Sequence, residues 1–285
     1  MKIFYKKNYS KTIKILGPWL AFLDNLYFLD FIFWLKKRCR IITKVHAPGF
    51  ELVDHCQNRE ELFRAKRWLT KEPDTIQWID EYIRDGEVLY DIGANVGIYS
   101  IYAAKKYPET KVFAFEPFCM NFTKLNENIA VNHLGQRITA LPVALNDREE
   151  IALLNVSVFE SGASNNQFGH SLDYTGHAFK PQFQQGAIGI SIDELVEKYH
   201  MPKANHIKID VDANEPEIIQ GAKKLLSGPE VKSLLIEFCI GEGITEEHSL
   251  NARRAIEFLQ KMGFRLKQEA DTGQFESSKN YIFVR

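Results

Sequence analysis

From residue 88 onward the chain alternates short apolar runs with segments whose apolar residues recur every three to four positions. Runs at 88–92, 111–116, 138–144, 206–211 and 232–238 predict strands, and 98–106, 122–132, 215–226 and 250–262 predict the helices between them. Strands separated by helices imply crossovers, so the pattern predicts a mostly parallel sheet covered on both faces. Runs at 264–268 and 281–284 close the chain and can pair as a hairpin, adding an antiparallel strand to that sheet. Ahead of this unit the pattern is weaker. Residues 1–45 form a basic, aromatic leader expected to be helical, and 46–86 a helical lead-in. Within the lead-in we expect a linker at Ala47-Pro48-Gly49 and a polar helix near 59–69. A second helix should follow Asp74-Thr75-Ile76-Gln77, which has capping-box spacing, with Ile76, Ile79 and Ile83 on one face. Residues 148–205 interrupt the alternation as an insertion, whose polar tract 160–167 reads as a solvated loop or, near the cleft, a substrate contact.

The first strand of the alternating unit ends in Asp91-Ile92-Gly93-Ala94-Asn95-Val96-Gly97, and the next ends in Glu116-Pro117. This is a nucleotide-binding βαβ unit with an acid placed for a ribose. A dinucleotide fingerprint needs G-x-G-x-x-G, because a pyrophosphate must lie against bare backbone at a helix N-terminus. Here the middle glycine is missing, and Asp91 would repel a phosphate. A cofactor with an ammonium group and no phosphate suits these residues. S-adenosylmethionine is such a cofactor, its amino acid end meeting Asp91 and the glycine turn and its ribose hydroxyls Glu116. Further on, Asn214-Glu215-Pro216-Glu217 suits a helix start, with Asn214 as cap and Pro216 in the first turn. That puts Asp210 and Asp212 at the carboxyl end of a strand, where open α/β sheets bind ligands.

The chain has 285 residues, is 45% hydrophobic and carries a net charge of −1, enough for one large core and without a global pull towards nucleic acid. Cys39, Cys56, Cys119 and Cys239 show neither C-x-x-C spacing nor a paired framework, and read as reduced thiols in a cytoplasmic protein. The leader sets basic clusters on both sides of an aromatic stretch. Asp24 and Asp30 within it, each costing about 2.5–3.5 kcal/mol at a bilayer centre, argue against a membrane span. It also lacks the exit of a signal peptide. We expect residues 1–45 to pack at the core edge or form a homodimer contact, with peripheral membrane attachment as the alternative.

The runs VLYDIGANVGIYS (88–100) and VFAFEP (112–117), with IKID (207–210), resemble the FkbM family of S-adenosylmethionine-dependent methyltransferases. The resemblance spans roughly residues 72–238. It implies a class I methyltransferase fold, Rossmann-like α/β, with a mostly parallel sheet, helices on both faces and a C-terminal antiparallel strand. It further implies that Asp91, Gly93, Asn95 and Gly97 line the methionine end of the cofactor and that Glu116 binds the ribose. Pro117 and Phe118 would then flank the adenine, with Ala144, Leu145 and Asn146 near its edge. Two positions of the family's K-I-D-V-E-G-x-E stretch differ here. Asp212 stands for Glu, and Ala213 for Gly, which should reshape the turn after the strand. Sugars, polyketides and other hydroxylated molecules are the acceptors that the resemblance suggests.

Methyl transfer to an alcohol requires an aligned acceptor oxygen and a base for its proton. Asp210 is the first candidate, followed by Asp212 and Glu237, with His170 and His177 in the insertion less favoured. Asp210 and Glu237 at adjacent strand ends offer oxygen ligands to Mg²⁺, but no obvious third ligand accompanies them, and no metal is assigned. A base-modifying nucleic-acid enzyme would carry an Asn/Asp-Pro-Pro-aromatic turn where this chain has Asp210-Val211-Asp212-Ala213. The partner expected is a hydroxylated small molecule or glycan. The competing class is a non-catalytic cofactor-binding or membrane-associated scaffold.

Overall fold

The computed structural model describes residues 41–56, 59–271 and 277–285. The reading of residues 1–40 as a packing, dimer or membrane element lies outside the described residues. Residues 41–45 belong to a strand, not to a helical leader. Strand β1 (Ile41–Ala47) and strand β2 (Phe50–Cys56) form a two-stranded sheet, turning at Gly49 with φ +91°. The expected linker is therefore a hairpin turn. Its signal was the period-two burial of Leu52, Asp54 and Cys56, with a polar residue in the alternation. Helices α1 (Arg59–Lys66) and α2 (Pro73–Tyr82) follow. Asp74 does not cap α2; Glu72 precedes the helix, Pro73 occupies its first turn, and Asp74 instead accepts a 2.6 Å bond from Asn280 Nδ2.

The main sheet is built from β3 (Val88–Ile92), β4 (Lys111–Phe115), β5 (Ile138–Leu141), β10 (His206–Ile209), β11 (Ser233–Cys239), β12 (Arg265–Asp271) and β13 (Ser278–Val284). Its order is β12-β13-β11-β10-β3-β4-β5, with β13 antiparallel to β11 and to β12 and the others parallel. This is the mostly parallel sheet with antiparallel C-terminal strands that the hydrophobic pattern predicts. One face packs on α1, α2, α3 (Ile98–Lys106) and α4 (Cys119–Val131) through Ala65, Trp78, Ile101 and Leu125. The other packs on α5 (Ile192–Lys198), α6 (Glu215–Gln220), α7 (Lys223–Ser227) and α8 (Glu246–Lys261) through Leu195, Ile218, Leu225 and Leu259.

Two predicted elements are broken for identifiable reasons. The run 138–144 splits at Pro142: β5 stays in the main sheet, while β6 (Ala144–Leu145) joins a second sheet. The helix at 215–226 breaks at Gly221, where a Cβ would overlap the carbonyl oxygen of Asn146. The insertion is not an irregular loop. With β7 (Glu150–Val156), β8 (Asn166–Phe168) and β9 (Phe183–Ile190) it forms a four-stranded sheet, order β6-β9-β7-β8. Among the described residues no helix is long and apolar enough to cross a membrane.

The hairpin is bound to α4 by buried polar groups. Asn132 accepts from the Val53 N–H at 3.0 Å and donates to its carbonyl at 2.7 Å, imitating a neighbouring strand. Lys124 Nζ lies 2.9 Å from Asp54 Oδ1 and 3.2 Å from Glu61 Oε2, all three side chains being at most 4% exposed. Removing the cation takes an ion-pair partner from two buried carboxylates, a loss of about 3–5 kcal/mol for buried ion pairs. Lys124→Met should therefore show a markedly lower urea midpoint than the parent chain; an unchanged midpoint would mean the triad contributes nothing net.

Candidate active site

The strand order reverses between β3 and β10, and the cleft opens at their carboxyl ends. Asp91 registers with Lys208 and Ile92 with Ile209. Gly93, next along, has φ +76° and sits so close to β10 that a Cβ would overlap the Asp210 carbonyl oxygen. Only glycine fits there. The N–H groups of Gly93 and Ala94 both donate to the Phe115 carbonyl at 3.0 Å, tying the turn to β4. Glu116 completes this tie: Oε2 accepts from the Asn95 N–H at 2.8 Å and Oε1 from the Phe118 N–H at 2.9 Å. Burial raises the Glu116 pKa to about 7, against the lowering effect of those two donors.

On the face covered by α2 and α3, a row of ionisable groups crosses the sheet. Lys208 Nζ is 2.8 Å from Asp210 Oδ2 and 3.9 Å from Asp91 Oδ1, and lies 5.1 Å from the centre of the Tyr99 ring. Asp91 also accepts a 2.6 Å bond from Ser100 Oγ. Burial would raise the pKa of Asp210, but Lys208 and then Lys71 outweigh it and hold Asp210 below the ordinary value. Glu237 beside it is pushed well upward by burial and by the charge of Asp210, and Ser278 Oγ donates to its Oε1. Ionisation is thus favoured at Asp210 and disfavoured at Glu237.

Asp212 has φ +67°, so the left-handed residue of this turn is Asp212; Ala213 does not adopt that conformation. Oδ2 of Asp212 accepts from the Asn165 N–H at 2.6 Å, and its carbonyl accepts from Gln167 Nε2 at 2.8 Å. Burial first, then the Asp210 charge, raise the Asp212 pKa to about 6. The tract 160–167 therefore reaches the cleft. Its Ala163 carbonyl accepts from Asn95 Nδ2 at 3.1 Å and from Asn121 Nδ2 at 2.9 Å. The enclosed space is about 700 Å³.

Of the residues named from sequence, Gly93, Asn95, Glu116, Pro117, Ala144, Leu145, Asp210, Asp212 and Glu237 line this cleft. Others lie behind it. Asp91 is buried beneath the turn between Ser100 and Lys208. Gly97 faces Leu125, where a Cβ would collide. Phe118 packs edge-on against Phe159 in the core of the second sheet, and Asn146 donates to Glu150 Oε1 at 2.7 Å. His177 is exposed and bonded to Thr175 Oγ1 at 2.8 Å. Asn214 does not cap α6; its Nδ2 donates to the Phe168 carbonyl at 3.3 Å. Lys208, Tyr99 and Asn121 line the cleft without having been singled out. For Lys208 the signal was available: a lysine inside an apolar strand, alternating in phase with Asp210, must be buried beside a counter-ion.

The residues present fit S-adenosylmethionine. A carboxylate at Glu116 and buried cleft oxygens without hydrogen-bond partners (Asn95 Oδ1, Asn166 Oδ1) match a ligand rich in hydrogen-bond donors. The cation that Asp210 meets is the Lys208 ammonium, and among the described residues no group of three or more His, Cys, Asp or Glu side chains is arranged to hold a metal ion.

The family comparison agrees with this chemistry. The Methyltransferase FkbM domain matches residues 91–266. Over 195 residues the chain is 29% identical to the hexuronic acid methyltransferase AglP of Haloferax volcanii, spanning 68% of this chain and 73% of that protein. Over 104 residues it is 32% identical to the 31-O-demethyl-FK506 methyltransferase FkbM of Streptomyces tacrolimicus, spanning 36% of this chain and 39% of that one. Among solved structures it is similar to a precorrin-6y C5,15-methyltransferase of Geobacter metallireducens GS-15, with TM-score 0.45, 15% identity, and coverage of 77% and 91% of the two chains. Aeropyrum pernix fibrillarin with natively bound S-adenosyl-L-methionine gives TM-score 0.41, 14% identity, and coverage of 70% and 67%.

The raised acids fix the sign of the pH response. Glu116 moves from 4.5 to about 7, Asp212 from 3.8 to about 6 and Glu215 from 4.5 to about 8. A carboxyl whose pKa rises on folding contributes stability below its unfolded value and loses it as pH climbs through the folded one. The melting temperature of the ligand-free protein should therefore fall between about pH 5 and pH 8. Glu116→Gln should flatten part of that slope and weaken S-adenosylmethionine binding about ten- to a hundredfold in calorimetry. A melting temperature that rises over this window would contradict the assignment of these groups as buried acids.

Proposed function

The chain belongs to the FkbM family of S-adenosylmethionine-dependent methyltransferases, and on that premise we propose that it O-methylates a hydroxyl of a sugar or related hydroxylated small molecule. The observation that carries this reading is one cleft lined both by Gly93 and Glu116, suited to the cofactor, and by Asp210, Asp212 and Glu237, suited to an acceptor. When bound, the cofactor supplies a methyl group activated by a sulfonium.

The protein's task is to orient the acceptor and remove a proton. Asp212 suits the base role better than Asp210. Its pKa of about 6 leaves it ionised near neutrality yet close enough to take a proton. The Asn165 N–H engages Oδ2, and Oδ1 is the oxygen we assign to the acceptor hydroxyl. Asp210, committed to Lys208 at 2.8 Å and held ionised, is a weaker base and serves to hold the strand end. Glu237, whose protonated form burial and the Asp210 charge favour, can in that form donate to Asp210 or to an acceptor oxygen. The relatives' names point to a hexuronic acid and to the 31-oxygen of an FK506 precursor as the acceptors of those proteins. Cys56, Cys119 and Cys239 are free, in keeping with work in the reducing cytoplasm.

Asp212→Asn should lower turnover about 10²–10⁴-fold while S-adenosylmethionine affinity stays within error, and should remove an ascending pH limb near 6. The measurement is label transfer from methyl-labelled cofactor to a panel of glycosides and macrocyclic alcohols. Cofactor binding without transfer to any of them would favour the scaffold reading. Normal turnover by Asp212→Asn would return the base role to Asp210.

A further inference from the structure

One wall of the cleft is basic. Arg67 and Lys71 both line it, and the Lys71 N–H donates to the Arg67 carbonyl at 2.8 Å. They are thus four residues apart in the turn that follows α1, and both reach the same cleft. Lys71 is anchored: its Nζ lies 2.8 Å from Oε1 of Glu72, which is 1% exposed, while Lys71 itself keeps 29% of its side-chain surface. It lines the same cleft as Asp210 and Asp212, and its charge acts on both. A cationic pair facing the reacting hydroxyl's pocket is what an anionic acceptor requires.

Resting on the methyltransferase reading above, we propose that Arg67 and Lys71 bind a carboxylate of the acceptor, which makes the natural acceptor an acidic sugar: a uronic acid or a glycan bearing one. A single negative charge fits better than a phosphate dianion, because Asp210 lies in the same cleft and is held ionised by Lys208.

The test uses the full chain loaded with S-adenosylhomocysteine. Calorimetry would compare p-nitrophenyl β-D-glucuronide, its uncharged glucoside and glucose 6-phosphate, with labelled cofactor then reporting transfer. The glucuronide should bind about tenfold tighter than the glucoside and tighter than the phosphate. Arg67→Ala and Lys71→Ala should each reduce that preference about tenfold, Lys71→Arg should retain most of it, and S-adenosylmethionine affinity should not move. Equal binding of glucuronide and glucoside, no binding of either, or a preference that survives both alanine variants would overturn the proposal while leaving the enzyme a methyltransferase. A stronger phosphate would replace the carboxylate, and loss of cofactor affinity in the variants would reassign both cations to the donor's own carboxylate. Failure of the parent chain to bind S-adenosylmethionine would instead refute the methyltransferase reading itself.

Discussion

The catalytic end of this molecule depends on a buried ammonium. Lys208 is 2% exposed at its side chain and reaches two carboxylates, Asp91 on β3 and Asp210 just beyond β10. Burying an isolated ammonium costs several kcal/mol, so such a group persists only where opposite charge and good contacts offset the loss of water. Here the offset comes from Asp210 at 2.8 Å, the more distant Asp91 and the face of Tyr99. Because β3 and β10 are adjacent but far apart in sequence, the lysine joins the two strand ends from which both halves of the cleft emerge. It also favours the ionised form of Asp210, while Glu237 beside it is pushed towards its protonated form.

Around that row the backbone is held in conformations that ordinary residues seldom adopt. Asn95, Asn165 and Asp212 are non-glycine residues with φ between +51° and +67°, and all three line the cleft. Such strain persists when hydrogen bonds over-determine it. The Asn95 N–H is held by Glu116, and the Asn165 N–H by Asp212. The second sheet positions the tract that makes these contacts, since β8 carries Gln167, whose amide reaches the Asp212 carbonyl. The insertion thus acts as a wall of the site, joined to the cofactor turn through Ala163 and to the acidic end through Asn165.

Much of this arrangement was legible from local pattern, and its gaps have physical causes. Main-sheet strands were visible because strands buried on both faces read as apolar runs, as in Leu234-Leu235-Ile236. The hairpin at β1 and β2 was obscured because its buried face carries Asp54, which pairs with Lys124 some seventy residues later. Asp91 was expected at the cofactor because it is acidic and stands at a strand end. It lies instead beneath the turn, because its side chain shares a sheet face with Lys208 across the register.

By itself the sequence determined the alternation of strands and helices, the glycine at 93 and the carboxylate at 116, because each follows from local periodicity or from a backbone requirement carried by a single residue. The tertiary structure alone decided which acids are ionised and which residues share the cleft. Both depend on burial and on partners distant in sequence: Lys208 beside Asp91, Asn165 beside Asp212, and Lys71 acting on Asp210. A carboxylate's chemistry is set by the charges and dipoles within a few ångströms of it, and only the folded chain brings those together.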